Sequence, residues 1–512
     1  MNEELFLVQS GLKEFNVVIK DSSKIDVRFG YCYPSTYRSG MTGLALHILY
    51  WTLNLREDTS CERYFRHQTV GPANSVETGR ALRDNHIVGF TLTYEEDVLN
   101  LLQMLRAGNV SVLVSERRDD DPIVIVGGPV VTANPEPYVD FVDAFVIGEG
   151  DLLIHDIVDV VRDSESRQSA IELMSELEGV YVPISNPKTV RRIHVQDLDS
   201  LEYPLAQVVP DLPEGSRLTP VFGKSFLLEV TRGCGHSCRF CLVGHVCRPR
   251  RTRSLHRLQE LVESGMKQTP VHKVSLIGSS LGDLDRLEEL VCWIVDQGYE
   301  VSVPSLRADS VTRHLLDCLV EGGQRTFTIA PETGSEELRT TLGKGLDDES
   351  ILDAVQMAGD AGYRSIKLYF IMGLPGETDR DLDQTATMIR EIAATSGLRV
   401  TASVNPFIPK AQTRWEREPQ QPIDSLRRRL RRIQEGVKGT RVTIETYDLR
   451  SARIQAALST GDRSLGSVIL KAAEYGGYGG WRRAARETGI PILDMASAPS
   501  HLSHGLPWGF LE

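Results

Sequence analysis

The chain has 512 residues, of which 41% are hydrophobic and 25% charged, and its formal net charge is −13. This length predicts roughly three domains of about 150 residues each, and the negative charge disfavours a generally basic nucleic-acid binder. No apolar run approaches the roughly 20 residues of a membrane span, and the acidic Met1–Glu4 segment lacks the basic start of a signal peptide. We therefore expect a cytoplasmic protein without a membrane segment. Its eight cysteines, scattered apart from one cluster, favour metal binding over a disulfide framework.

The first third of the chain predicts strands alternating with helices. The predicted strands span residues 24–29, 87–93, 122–126 and 145–147, and the predicted helices span 43–53 and 97–105. Apolar strands that alternate with helices are typical of a buried parallel sheet. We predict a Rossmann-like domain over residues 1–195, followed by a Pro- and Asp-rich linker over 196–222. Ligands of such sheets bind at the carboxyl ends of the strands, where the glycine loops 127–129 and 148–150 lie.

A second βα series is predicted from residue 223 onward. Its strands fall near residues 226–230, 273–277, 300–303, 325–329, 365–371 and 399–404. About six βα units predict a partial (β/α)6 barrel over 223–435, with its active site at the carboxyl ends of the strands. The Gly-rich remainder, 436–512, predicts a small α+β domain, and the fold class of the chain is α/β.

One cysteine cluster follows the first strand of this second series. Cys234, Cys238 and Cys241 lie within eight residues of one another. A tetrahedral zinc site needs four ligands, and His236 or Cys247 could supply the fourth. A cubane iron–sulfur cluster can use three cysteines and leave one iron open. Three unpaired structural cysteines are the remaining interpretation.

The C-x3-C-x2-C spacing, with Phe240 before the third cysteine, resembles the signature of the radical S-adenosylmethionine (SAM) superfamily. The resemblance implies a 4Fe-4S cluster whose open iron binds the amino and carboxyl groups of SAM. It implies that an electron, from a donor such as flavodoxin or ferredoxin, cleaves SAM to a radical that abstracts a hydrogen atom.

Other positions resemble the SAM contacts of this family at later strand ends. Ser280 stands where the family usually has an acidic residue, and Phe240 could equally be a core residue. The SAM-binding residues implied by the resemblance are Phe240, Gly278, Ser279, Ser280, Ser305, Arg307, Glu332 and Gly373.

The N-terminal domain resembles the cobalamin-binding domain that is fused to many radical SAM enzymes. The resemblance rests on residues 88–94 and on the glycine loops after the strands near 123–126 and 145–147. A domain that kept this fold and lost the ligand is the alternative. The cobalamin-binding residues implied by the resemblance are Tyr33, Pro34, Ser35, Thr91, Thr93, Tyr94, Gly127, Gly128, Pro129 and Glu149.

Residues 84–89 fit D-x-H-x-x-G, the motif whose histidine ligates cobalt in that family. Here the motif runs directly into a predicted strand instead of a loop and a helix, so we interpret the match of His86 as coincidence. The expected ligand loop, 30–37, contains no histidine. We therefore expect bound cobalamin to lack a protein histidine on its lower face.

Two arginine-rich segments and three further cysteines complete the candidate features. Residues 248–253 and 427–432 could bind RNA phosphates, although side chains paired with carboxylates are favoured. Cys247 could be an auxiliary ligand, and Cys292 and Cys318 are predicted to lie in the core of helical segments.

The whole chain resembles cobalamin-dependent radical SAM methyltransferases. The resemblance implies methylation of an unactivated carbon, in which one SAM methylates cobalamin and another generates the radical. We expect the substrate to be a protein residue or a small molecule. The leading specific expectation is the α-carbon of a glutamine in methyl-coenzyme M reductase. The alternatives are a methylthiotransferase of tRNA or a ribosomal protein, which needs a second cluster held by three N-terminal cysteines, and a non-catalytic iron–sulfur scaffold.

Overall fold

The computed structural model describes residues 12–66, 73–213, 215–498, 502–503 and 505–512. The Met1–Glu4 segment lies outside the described residues. Among the helices of the described part, none is both long and apolar enough to cross a membrane.

The elements follow the predicted alternation of strands and helices. The strands are β1 (Glu14–Phe15), β2 (Val27–Tyr33), β3 (Thr59–Phe65), β4 (Ile87–Thr91), β5 (Ile123–Gly127), β6 (Ala144–Val146), β7 (Val180–Tyr181), β8 (Val209–Pro210), β9 (Phe226–Glu229), β10 (Thr231–Arg232), β11 (Arg251–Thr252), β12 (Lys273–Ile277), β13 (Glu300–Ser302), β14 (Thr326–Glu332), β15 (Ser365–Met372), β16 (Arg399–Pro406) and β17 (Thr443–Glu445). The helices are α1 (Tyr37–Gly40), α2 (Leu44–Leu55), α3 (Asp97–Ala107), α4 (Pro129–Ala133), α5 (Ile154–Asp163), α6 (Arg167–Met174), α7 (Val243–Val246), α8 (Leu255–Gln268), α9 (Leu287–Asp296), α10 (Arg313–Glu321), α11 (Glu336–Leu342), α12 (Asp348–Ala361), α13 (Asp379–Thr395), α14 (Ile423–Gly436), α15 (Leu449–Thr460), α16 (Gly466–Tyr475), α17 (Gly477–Thr488) and α18 (Ile492–Met495).

The N-terminal sheet is doubly wound. Its order is β3-β2-β4-β5-β6-β7, and every neighbouring pair is parallel except β6 and β7. In chain order the five parallel strands run 2-1-3-4-5. Sheets of this order bind ligands where the order reverses, between the first and third strands. That point lies between β2 and β4.

Each face of this sheet is covered by its own layer of helices, because successive side chains of a strand point to opposite faces. Ile87 and Ile125 pack with α2, α5 and α6. Val88 and Val124 pack with α3 and with the C-terminal helices α15 to α17.

The second series forms the partial barrel that the sequence predicts. Strands β9, β12 and β13 form one parallel sheet, and β14 to β17 form another. A parallel bridge between Leu306 and Ile329 connects the two. All six predicted strands are present and differ from the prediction mainly at their ends. The α/β fold class is confirmed.

The C-terminal segment differs from the small α+β domain that we expected. Strand β17 extends the barrel sheet beside β16, and helices α15 to α18 make up most of the described residues that follow. Ile454, Leu458 and Trp481 share a hydrophobic core with the N-terminal sheet. The apolar faces of these helices cover one face of the N-terminal sheet, which would otherwise be exposed to solvent. The segment therefore forms a layer of the N-terminal unit. The expected linker is likewise packed, since Leu198 and Tyr203 are buried.

A group of buried ion pairs joins the N-terminal sheet to the barrel. Glu149, which follows β6, binds Arg251 at 2.7 Å and Arg232 at 3.1 Å. Arg232 also binds Asp151 and Glu229, both at 2.7 Å. Burial alone would raise the pKa of Glu149, but its hydrogen bonds with Arg251 and the charge of Arg232 hold that pKa below its usual value.

We predict that Glu149→Ala destabilises the protein by about 3 kcal/mol, because it leaves a buried guanidinium without its carboxylate. The side chain of Arg251 is 8% exposed. Glu178→Ala is the matched control, since it removes an exposed pair with Arg191 and should cost about 0.5 kcal/mol or less. The urea dependence of the first unfolding transition measures both, and equal stabilities would contradict the prediction.

Candidate active site

The three clustered cysteines lie on a loop between β10 and β11, which pair as an antiparallel ribbon. The loop begins at Gly233, whose φ is 74°. A Cβ atom there would lie 2.1 Å from the carbonyl oxygen of Cys247. Glycine is therefore required where the start of the loop packs against the backbone at the end of the same loop.

The three thiols lie near one another and near two charged side chains. The charges of Lys344, Glu332 and the other two cysteines act on Cys238. Burial raises the pKa of the Cys238 and Cys241 thiols, whereas the backbone N–H groups of residues 243 and 244 donate to Cys241 and favour its thiolate. Anionic sulfur ligands and N–H donors to sulfur are what an iron–sulfur cluster uses.

The spacing of the sulfur atoms fits a cluster better than a single zinc ion. Among the described residues, the sulfurs of Cys234, Cys238 and Cys241 are not all within 4.8 Å of one another. Three thiolates on one zinc would be about 3.8 Å apart, since Zn–S bonds are about 2.3 Å long. A cubane places each thiolate on a different iron and separates the sulfurs further.

The loop after β12 contains the predicted SAM residues Gly278, Ser279 and Ser280. The hydroxyl of Thr231 donates to the Ser279 carbonyl at 3.2 Å. Ser280 has a left-handed φ of 53°, and its hydroxyl donates to Asp283 at 2.6 Å. The same Asp283 oxygen lies 2.7 Å from Nε2 of His236, inside the cysteine loop.

Asp283 therefore connects the predicted SAM loop to the cysteine loop, and the sequence prediction did not include it. It supplies a carboxylate beside the position where Ser280 lacks one. The sequence signal that could have found it is an acidic residue three positions after Ser280, where this chain lacks the usual acid of the family motif.

Glu332 lies at the carboxyl end of β14, where the strand register shifts. Its φ of 69° is uncommon for a residue other than glycine, and its carboxylate binds Lys344 at 2.8 Å. Arg307 binds Asp309 at 2.6 Å and donates to the carbonyl of Lys344 at 3.1 Å. Ser305 is exposed.

Gly373 lies in a turn whose glycine is required by packing. Its φ is 77°, and a Cβ atom would lie 2.7 Å from the side chain of Leu426. Its N–H donates to Glu377 at 2.7 Å. A substitution at Gly373 would therefore strain the turn before it affected a ligand. Phe240 is half-buried and packs partly against a small core around Leu342.

A cavity of about 560 Å³ lies between the carboxyl edge of the N-terminal sheet and the cysteine loop. Predicted residues of both kinds line it. They are Thr91, Gly127, Gly128, Pro129 and Glu149 from the cobalamin set, and Gly278 and Ser279 from the SAM set. Cys247 also lines this cavity, together with an apolar wall from β2 and α2 that the sequence prediction missed.

The other predicted cobalamin residues lie elsewhere. Tyr33, Pro34, Ser35 and Thr93 do not line this cavity, because β2 continues through Tyr33 and carries the loop beyond it. Tyr94 lines a smaller cavity on the side of the C-terminal helices. Glu149 does line the main cavity, but it is also engaged by arginines.

His86 is far from the cavity in the sheet. It precedes β4, at the edge opposite to the carboxyl ends. Its Nδ1 accepts from the Arg28 backbone at 3.1 Å, and Nε2 lies 2.8 Å from the Arg28 guanidinium. The histidine of the D-x-H-x-x-G match is thus engaged by Arg28 at the opposite edge of the sheet.

The arginine-rich segments pair with carboxylates. Arg253 binds Glu229 at 2.9 Å, Arg429 binds Glu377 at 2.7 Å, and Arg432 binds an acid of α13 at 2.7 Å. These pairs support the ion-pair interpretation over an RNA surface.

The remaining cysteines fall into two pairs. Cys32 and Cys61 are fully buried and pack into cores on opposite faces of the N-terminal sheet. Cys292 and Cys318 form a disulfide, which corrects the prediction that they are simple core residues. Their helices, α9 and α10, pack side by side and bring the two sulfurs together.

Two family models match the chain. The N-terminal model of radical SAM proteins matches residues 45–183, and the radical SAM superfamily model matches residues 228–389. An uncharacterized protein of Methanocaldococcus jannaschii is 32% identical over 440 residues, which cover 85% of this chain and 89% of that protein. The chain belongs to the radical SAM superfamily and is an enzyme that uses a 4Fe-4S cluster and SAM.

The chain is also similar to two proteins of known type, one by sequence and one by structure. A tRNA-2-methylthio-N(6)-dimethylallyladenosine synthase of Desulfitobacterium hafniense is 24% identical over 222 residues, 40% of this chain and 48% of that enzyme. The radical SAM methyltransferase TsrM from Kitasatospora setae, with cobalamin and a [4Fe-4S] cluster bound, superposes with a TM-score of 0.57 at 12% identity. The match covers 92% of this chain and 99% of TsrM. The likeness to TsrM shows a common fold.

We predict that alanine at Cys234, Cys238 or Cys241 removes most iron and all SAM cleavage, because a three-thiolate cluster cannot keep its geometry with two. Cys247→Ala is the matched control and should retain iron. Iron and sulfide analysis after anaerobic reconstitution, with a SAM-cleavage assay, measures both. Iron loss in Cys247→Ala together with a silent change among the three would show that the ligand set is wrong.

Proposed function

We propose that this radical SAM enzyme is a cobalamin-dependent C-methyltransferase that acts on an unactivated carbon. The observation that carries the proposal is the cavity that joins Thr91 and the 127–129 loop to Gly278 and Ser279. Both sets lie at the carboxyl ends of parallel strands, where such folds bind their ligands. The common fold with TsrM, a methyltransferase with bound cobalamin, supports cobalamin-dependent methyl transfer.

The cavity walls have the chemistry that cobalamin needs. Phe29, Leu44 and Ile48 give an apolar surface suited to a flat aromatic group, and Gly127 adds no side chain to the cavity wall. Arg192 also lines the cavity, and its Nε is buried without a hydrogen-bond partner. The positive charge of Arg192 in this wall suits a phosphate or amide oxygen of the cofactor.

When bound, the cluster and SAM supply a carbon-centred radical, and cobalamin supplies a methyl carrier. Cys234, Cys238 and Cys241 would hold the cluster. Glu149 holds the base of their loop through Arg232 and Arg251. The apolar wall gives a bound cofactor a surface to pack against.

Within this proposal, Asp283 binds the amino group of SAM. Its carboxylate is held by the Ser280 hydroxyl and faces His236 of the cysteine loop. It thus lies between the cluster ligands and the loop after β12, where the resemblance places that amino group.

Asp283→Asn should weaken SAM binding to the cluster-loaded protein by about 10- to 100-fold. The reason is that a hydrogen bond to a charged group contributes about 1.5–3 kcal/mol. Asp285→Asn, an exposed acid two residues away, is the control and should bind SAM normally. Equilibrium binding measures both variants, with iron content to show an intact cluster. Unchanged affinity in Asp283→Asn would assign the carboxylate a structural role only.

The protein reconstituted with cobalamin should carry bound corrinoid, measured by its visible spectrum. Gly127→Leu should lower corrinoid affinity by about tenfold or more, since it places a side chain in the cavity and overpacking costs about 1–3 kcal/mol. Gly479→Leu, on an open surface, is the matched control, and His86→Ala should also leave corrinoid unchanged. Absence of corrinoid from the wild type, under conditions that load a known cobalamin enzyme, would remove the methyltransferase mechanism.

The methylthiotransferase alternative has the 24%-identical synthase in its favour. It requires a second cluster in the N-terminal domain. Cys32 and Cys61 pack on opposite faces of the sheet, so they cannot ligate one cluster together. The positions of these two cysteines disfavour a second cluster, whereas the cavity favours the methyltransferase.

We propose that the substrate is a protein residue, with the α-carbon of a glutamine in methyl-coenzyme M reductase as the specific candidate. Its support is the resemblance of the architecture. A methyl group gained by that glutamine, detected by mass spectrometry after reaction with SAM, cobalamin and reductant, would identify it.

A further inference from the structure

Two helices on the outside of the barrel bring together three metal-ligand side chains. Cys292 lies on α9, and His314 and Cys318 lie one turn apart on α10. Residues four apart share one face of a helix, and here that face meets α9. The Cα atoms of Cys292 and Cys318 are 5.3 Å apart.

The imidazole lies at the distance of a second zinc ligand from one of the two sulfurs, which are bonded to each other here and would separate on reduction. Nε2 of His314 lies 3.6 Å from Sγ of Cys292. Zinc with bonds of about 2.3 Å to sulfur and 2.0–2.1 Å to nitrogen separates these two ligand atoms by about 3.6 Å in a tetrahedron. All three ligand atoms are within 4.8 Å of one another, and in the described part of the chain no other three such side chains are.

The redox state decides which bond these side chains make. Radical SAM chemistry needs a strongly reducing electron donor, and the cluster must stay reduced. Under such conditions a dithiol reductant transfers two electrons and two protons to the Cys292–Cys318 disulfide, which becomes two thiols while the reductant becomes a disulfide.

We propose that in the reduced protein Cys292, Cys318 and His314 bind Zn²⁺, with water as the fourth ligand. Each thiol releases its proton as it binds the metal. Two thiolates balance the charge of the ion. Because His314 is exposed while Cys318 is buried, the ion enters from solvent past the imidazole. The metal then replaces the covalent link between α9 and α10, away from the active site.

The test uses the full-length protein with its cluster loaded, so that Cys234, Cys238 and Cys241 are occupied. The protein is dialysed anaerobically against zinc alone, with and without a phosphine reductant, and zinc per chain is determined by elemental analysis. One additional zinc is expected in the reduced protein and none in the disulfide form. This comparison needs no substitution.

Variants identify the ligands. Cys292→Ser should abolish the additional zinc, and His314→Ala, which keeps both cysteines, should weaken zinc binding by at least about tenfold, since even outer partners of zinc ligands cost 10–100-fold. His256→Ala, an exposed histidine of α8, is the matched control. Equal zinc in the reduced and disulfide forms, or undiminished affinity in His314→Ala, would overturn the proposal.

Discussion

The Glu149 carboxylate fixes the relation between the two halves of the molecule. Its two oxygens bind Arg251 and Arg232, which stand on the two strands of the ribbon that carries the cysteine loop. A buried ion pair adds little net stability over apolar packing, but loss of one partner is strongly unfavourable. The main effect of these ion pairs is therefore to fix the position of the cysteine loop, and their net contribution to stability is small. They hold the loop at the carboxyl edge of the N-terminal sheet, and the cavity exists because that distance is fixed.

The same constraint explains the path of the chain. The N-terminal sheet and strands β9 and β12 of the barrel present their carboxyl ends to the cavity, so the faces of these sheets must be covered by helices. The N-terminal sheet has helices of its own on one face, but α3 alone does not cover the other. Helices α15 to α17 complete that layer, and the chain end adds a bridge between Val190 and Leu511. The C-terminal segment thus supports the cavity from behind.

Sequence reasoning located the elements whose signals are local. Buried strands such as β5 and β15 are continuous apolar or alternating runs, and the cysteine spacing is contained in one loop. Strand β3 was not predicted, because Glu62 and Arg63 interrupt its apolar sequence pattern. Both are buried, and Arg63 is neutralised by Glu14 and Glu77, partners that only the folded chain brings close. The apolar wall from α2 and the contribution of Arg192 were missed for the same reason, since tertiary packing decides which surface they face.

The SAM motifs show how residue type and position can separate. Gly373 matches its motif by type, yet its N–H is used by Glu377 and its missing Cβ makes room for Leu426. Ser280 departs from its motif by type, yet its left-handed backbone turns the chain so that its hydroxyl meets Asp283. Asp283 follows Ser280 by three residues, and this turn brings its carboxylate to His236 of the cysteine loop. In this chain the geometry of the turn, more than the residue at one motif position, determines where the acidic group lies.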